Sequence, residues 1–167
     1  AIASGPRAQG PQHFALTDAD GGLLGPFNAL LLSPALGSAL QSVGSAVRFE
    51  TDLTARCREL AILTVAAAWD SSFERESHEA VGRAVGITED QLRAIASRTD
   101  VGLDDPHERA VVDACRALTA GDISDADWPR FESVLGAKTI FELSTLVGYY
   151  ATLALQLRVF RVEERDS

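Results

Sequence analysis

The stretch RCRELAILTVAAAWDSSFERESHEAVGRAVG, residues 56–86, decides how this chain is read. From Leu60 to Trp69 it is apolar except for Thr64, and the Ala and Leu content favours helix. Asp70-Ser71-Ser72 breaks the run, because short polar side chains compete for backbone hydrogen bonds. A second helix is expected from about Ser72 to Val85, with Gly86 as a left-handed cap. Glu74 and His78 lie four residues apart on it, and therefore on one face. Glu59 stands near the head of the first helix. A carboxylate beside an imidazole is the simplest proton-transfer pair a protein can build. Glu59, Glu74 and His78 are the candidate acid–base set, provided the two helices bring them to one pocket.

The same logic extends in both directions. Phe27, Leu30, Leu31, Leu36, Leu40, Val43 and Val47 recur at helical spacing, and Pro34 starts a helix. Asp52 or Thr54 caps the helix that carries Glu59. Thr88 to Gln91 form a capping box, and Asp105-Pro106 opens a helix that Gly121 stops. Ser124 or Asp125 caps a helix ending at Gly136, and Thr139 with Glu142 forms a second capping box. The last helix is apolar nearly all round, through Phe141, Leu143, Leu146, Tyr149, Tyr150, Leu153 and Leu157. A helix with no polar face is buried on several sides, which points to the centre of a homo-oligomer. No period-2 alternation supports a sheet, so the fold class is all-α. Residues 1–25, rich in Gly, Pro, Gln and Ala, read as a flexible arm, and residues 26–167 as one helical domain.

Composition narrows the function. The 167 residues fit one domain, 46% hydrophobic and 23% charged, with a net charge of −9. That charge argues against nucleic acid, and an anionic ligand needs local arginines. Cys57 and Cys115 share no CxxC and read as small core residues. His13 and His107 have weak claims, and the three histidines show no metal-ligand spacing. Gly21-Gly22 is not followed by a strand–helix unit, so no nucleotide is expected. No cofactor is expected. No apolar run approaches a bilayer span and no signal peptide is visible, so a cytoplasmic location is the expectation.

Residues from about Pro26 to Ile95 resemble the carboxymuconolactone decarboxylase family, which shares its fold with the alkyl hydroperoxidase D proteins. The likeness is carried by Arg58-Glu59-Leu60, Ile62-Leu63-x-Val65-Ala66, Trp69, Phe73-Glu74 and His78. It continues through Ala84-x-Gly86-Ile87-Thr88-Glu89-Asp90-Gln91-Leu92 and Leu143-x-x-Leu146-Val147-Gly148-Tyr149-Tyr150. The peroxidase branch carries a CxxC, a His four residues on and a Glu upstream. Here the two cysteine positions are Ser71 and Glu74, whereas Glu59 and His78 match the Glu and the His. Disulfide chemistry needs thiolates, so a thiol peroxidase is not expected. The decarboxylase branch, with an aromatic residue and a Glu before the His, is the better match.

The resemblance implies a helical bundle assembled as homotrimers or homohexamers. It implies a cofactor-free decarboxylase acting on a small lactone or related organic acid. The alternatives are an isomerase or cyclase of secondary metabolism, or a ligand-binding protein without catalysis. His78 takes the acid–base role, because its ordinary pKa lies nearest neutrality. Glu74 orients it or raises its pKa, and Glu59 is a second proton carrier or an arginine's partner. Arg58 or Arg56 binds a substrate carboxylate, Trp69 is an apolar wall, and Ser71 belongs to the same pocket. Each has a plainer reading. Glu74 belongs to a charged face with Arg75, Glu76 and Glu79, Glu59 pairs with Arg56 or Arg58, Trp69 is core, and Ser71 is a helix cap.

Overall fold

The computed structural model describes residues 27–161, so the arm at 1–25, His13 and the Gly21-Gly22 pair lie outside it. The described residues are helical and contain no strand. The order is α1 (Phe27–Leu30), α2 (Pro34–Phe49), α3 (Ala55–Trp69), α4 (Ser72–Ala84), α5 (Glu89–Ala96), α6 (Pro106–Ala120) and α7 (Trp128–Val159).

Local signals set most boundaries. Pro34 opens α2, and the Thr54 side chain caps α3 by accepting from the Cys57 N–H at 3.1 Å. Asp70 ends α3 in the left-handed region at φ 53°, where its N–H closes on Ala66 and Ala67 carbonyls. Both halves of the Thr88–Gln91 capping box form, and Asp105 caps α6 on the His107 N–H at 2.8 Å. Gly121 ends α6 at φ 119°.

Two boundaries differ from expectation. The cap of α7 is Asp127, later than Ser124 or Asp125, because Ser124 and Asp127 first bond each other in a turn. The helix end expected at Gly136 is present (φ 75°, ψ 154°), and the chain at once resumes as helix. The expected Thr139–Glu142 capping box gives way to a distant partner: Glu142 accepts the Asp52 N–H at 3.1 Å.

The central element is α3, not α7. Every residue from Glu59 to Ala66 is buried, and α3 packs against α4, α5, α6 and α7. Alanines between the larger side chains let four helices approach at once. Each fully buried Leu, Ile or Val contributes roughly 1.5–3 kcal/mol. One apolar cluster joins α3, α6 and α7 around Ile62, Val111, Phe131 and Leu146, and a second lies under α5 around Leu60, Ile87 and Leu92.

Helix α7 buries one face, Leu143, Leu146, Tyr150, Leu153 and Leu157, and leaves Phe141, Leu155 and Val159 exposed. By length and composition it could cross a membrane, contrary to the expectation that no run approaches that length. Its most apolar window is 56% buried within the bundle, which is the packing of a core helix.

Candidate active site

The α3–α4 hairpin brings Glu59 and His78 together. His78 Nδ1 lies 2.7 Å from Glu59 Oε2, with the side chains 6% and 1% exposed. Against an ionised carboxylate, Nδ1 carries the hydrogen and donates it, so Nε2 is the nitrogen that can accept a proton. Withdrawing a carboxylate from water costs several kcal/mol, and one hydrogen bond offsets only part of that. Stability would be served as well by two apolar residues here. A buried pair of this kind is a candidate site of chemistry.

Arg58 stands beside the pair. Its Nε is 3.9 Å from Glu59 Oε1, and both atoms are buried without a hydrogen bond among the described residues. The Arg58 side chain is 19% exposed, so the guanidinium lies at the rim, with hydrogen-bonding capacity in reserve.

On α4, Ser71, Glu74 and His78 follow at i, i+3 and i+7 and are 6%, 3% and 5% exposed. The expected charged face is thus divided: Glu74 turns inward, and Arg75 and Glu76 stay outside. Ser71 occupies the N-cap position of α4, but its side chain makes no capping bond. It lines two clefts at the α3–α4 turn, of about 230 and 110 Å³, with Arg75 and Arg98 on one and Trp69 and Arg158 on the other.

Arg56 is engaged elsewhere. Its Nε donates to Glu108 at 2.8 Å, Nη2 to Gln91 at 3.0 Å and Nη1 to the Gly86 carbonyl. Trp69 stands ten residues beyond Glu59, ~15 Å along the α3 axis, and packs against the larger cluster.

The sequence reading missed Tyr150. Its ring meets His78 edge to face, with centroids 5.3 Å apart and planes at 85°. A polar-tipped aromatic on an otherwise apolar helix was the available signal.

The two thiols are of another kind. Burial pushes Cys115 up to about 12, with the Cys57 thiol adding to the shift. Burial also raises Cys57, whose sulfur lies 3.7 Å from His107 Nδ1. Among the described residues no three His, Cys, Asp or Glu side chains form a group that could hold a metal ion.

The model of the carboxymuconolactone decarboxylase family matches residues 34–117, half of the chain. The chain belongs to that family. The match spans Glu59, Glu74 and His78 and stops before α7, so Tyr150 lies beyond it. No curated protein matches the chain. At family level, membership supports a decarboxylase-like or alkyl hydroperoxidase D-like function.

Proposed function

We propose that this protein is a decarboxylase acting on a small lactone acid or related organic acid through its own side chains. The carrying observation is the buried Glu59–His78 hydrogen bond of 2.7 Å. Arg58 holds the substrate carboxylates, because a guanidinium fork fits them and the Arg58 Nε makes no hydrogen bond. The bond between the ring carbon and the departing carboxylate breaks and carbon dioxide leaves. The electron pair moves into the lactone carbonyl as a dienolate. Protonated His78 then gives its Nε2 proton to carbon, and Glu59 stabilises the imidazolium in the step before. Glu74, one turn before His78 and buried on the same face, tunes the site's charge. Arg56 is the weaker candidate for carboxylate binding, since its donors already serve Glu108, Gln91 and Gly86.

Thiol chemistry is disfavoured on two counts. Ser71 and Glu74 occupy the cysteine positions of the peroxidase branch, and the cysteines present are buried with raised pKa values.

The test is turnover of carboxymuconolactone, followed by ultraviolet absorbance, in the parent and in His78→Gln. A loss of about 10²–10⁴-fold with the fold intact supports the reading. Equal turnover in the two proteins refutes it. Solvent deuterium entering the substrate without loss of carbon dioxide identifies the isomerase alternative.

The proposal includes self-association as a homotrimer or homohexamer through the outward stripe of α7. Phe141 there is 71% exposed, and Leu155 and Val159 extend the same apolar surface. Sedimentation velocity should give an oligomer for the parent and a smaller species for Phe141→Asp.

A further inference from the structure

Helix α3 borders a second hollow on the side away from its carboxylate. At the helical turn per residue, Thr64 and Ala68 lie roughly 140° and 180° round the axis from Glu59. With Ala67 they line a cleft of about 310 Å³, bounded further by Ile95 of α5, by Arg98 just past its end and by Arg116 of α6. That volume falls at the small end of ligand sites, roughly 300–1,000 Å³.

The two arginines are held in place by backbone. Arg98 follows α5 in the left-handed region, at φ 58°. After α4 the equivalent place goes to Gly86, because a side chain is disfavoured there. The Arg98 guanidinium donates to the Ala67 carbonyl from Nε at 3.0 Å and from Nη2, which also reaches the Ala68 carbonyl at 3.3 Å. Arg116 donates through Nη2 to the Thr99 carbonyl, one residue beyond Arg98. Arg98 Nη1 and Arg116 Nε and Nη1 make no hydrogen bond among the described residues.

No acid balances them. The chain carries a net charge of −9, yet no Asp or Glu lines this cleft, whereas both clefts at Ser71 include Asp70. The acids nearest in sequence have other partners: Asp100 accepts the Gly102 N–H at 3.1 Å, and Asp113 pairs with Arg130 at 3.3 Å. Two like charges in one wall repel, and an anion between them relieves the repulsion. The rest of the wall offers no further donor. Thr64 gives its hydroxyl hydrogen to the Leu60 carbonyl at 2.7 Å, Thr119 gives its own to backbone carbonyls of α6, and Ala67, Ala68 and Ile95 are apolar. A ligand here needs one end that guanidiniums recognise and a body that needs no hydrogen bonds.

We infer that the cleft between α3, α5 and α6 binds a small carboxylate with a compact apolar body. Its carboxylate is shared between Arg98 and Arg116, whose planar donors fit two oxygens, and its body covers Ala67, Ala68 and Ile95. An inorganic oxyanion has no such body and leaves the apolar wall wet. The cleft lies across α3 from Glu59, so it is a second site, and its occupancy does not depend on the reaction proposed at His78.

The experiment titrates the whole protein with benzoate and follows the Ile95 δ-methyl in 1H–13C spectra, assigned by Ile95→Val. The ring of the ligand should shift that signal saturably, with a Kd of about 1–10 mM, the affinity expected of so few atoms. Arg116→Gln should weaken binding at least about tenfold, because a charge-assisted bond is lost. Arg98→Gln should do the same; if it does not fold, Arg116→Gln carries the test. Ala68→Leu fills the cleft, keeps both charges and should abolish the shift. Arg58→Gln, beside the proton-transfer pair, should leave it unchanged. Benzyl alcohol, the same ring without the charge, should give no saturable shift, and inorganic phosphate at equal concentration should displace little of the benzoate. The inference is overturned if benzoate leaves the Ile95 signal in place, if Arg116→Gln or Ala68→Leu binds as the parent does, or if benzyl alcohol or phosphate matches benzoate. Loss of the shift in Arg58→Gln would overturn it too, by placing the ligand beside His78; the turnover test at His78 stands or falls separately.

Discussion

Two polar clusters leave the first turns of α3 three residues apart, and they are built differently. At Arg56 each guanidinium nitrogen has a partner: Glu108 of α6, Gln91 of α5 and the Gly86 carbonyl between α4 and α5. At Glu59 there is one strong hydrogen bond to His78, and Glu59 Oε1 and Arg58 Nε are buried without one. The first arrangement is what packing alone would select, since a satisfied buried polar group costs little. The second leaves capacity unused in the least hydrated part of the chain. Local rules of stability are expected to fail where function is served.

The largest expected effect separates the two clusters directly. Replacing both Glu59 and His78 by Leu removes the pair and both desolvation penalties. Turnover should fall to background, while urea unfolding shows stability unchanged or raised by up to about 4 kcal/mol. Glu59→Leu alone should be less stable than the double variant, because it leaves a buried imidazole with a lost partner. A double variant several kcal/mol less stable than the parent would mean that the pair is structural, like Arg56, and the contrast would collapse.

Next come the thiols, a third kind of buried polar group. Below pH 9 the folded and unfolded chains both keep the Cys115 proton. Above that the unfolded chain releases it, whereas the folded chain holds it to about 12. The folded state then binds more protons, so stability must fall as pH rises through this window. The slope is about 1.4 kcal/mol per pH unit. Unfolding free energies measured from pH 8 to 11 should show the decline, and Cys115→Ala should make it shallower, leaving the part that the raised Cys57 thiol contributes. An equal decline in Cys115→Ala would assign the alkaline loss to other groups.

Arg56→Ala tests the other side of the comparison. Three bonds disappear, but the side chain is 24% exposed and water replaces part of the loss. The expected cost is about 1–2 kcal/mol by urea titration, with turnover per folded molecule unchanged. A tenfold fall in turnover at full stability would return Arg56 to the site.

Much of this was legible in the chain, for a physical reason. Helix ends are set by residues within one turn, so Thr54, the Thr88–Gln91 box, Asp105-Pro106 and Gly121 could be read directly. The pairing of Glu74 and His78 on one face follows from helical period alone. Contacts across the fold were not legible. Glu142 fitted a capping box by spacing, but it bonds Asp52, 90 residues away. The three partners of Arg56 lie between Gly86 and Glu108, and no spacing rule connects them. Tyr150 meets His78 only because α7 crosses the hairpin.

The smallest effect belongs to a third ion pair, the surface fork of Arg83 and Glu89, which closes the α4–α5 turn at 2.6 and 3.2 Å. Arg83 holds the Glu89 carboxyl below its ordinary range, and Glu89 in turn raises Arg83. A depressed carboxylate contributes above its unfolded pKa and loses that contribution as pH falls through the folded one. Glu89→Gln should therefore lower Tm slightly near pH 6 and leave it equal to the parent in strong acid. Both groups are fully exposed, so 1 M salt should erase the difference at pH 6 as well. The half-buried Arg56 cluster should keep most of its effect in that salt, because ions screen exposed charges far better than buried ones. Equal salt sensitivity of the two variants would show that the Arg56 cluster is surface electrostatics too. Glu59–His78 would then be the only polar contact of the three whose behaviour depends on exclusion of water.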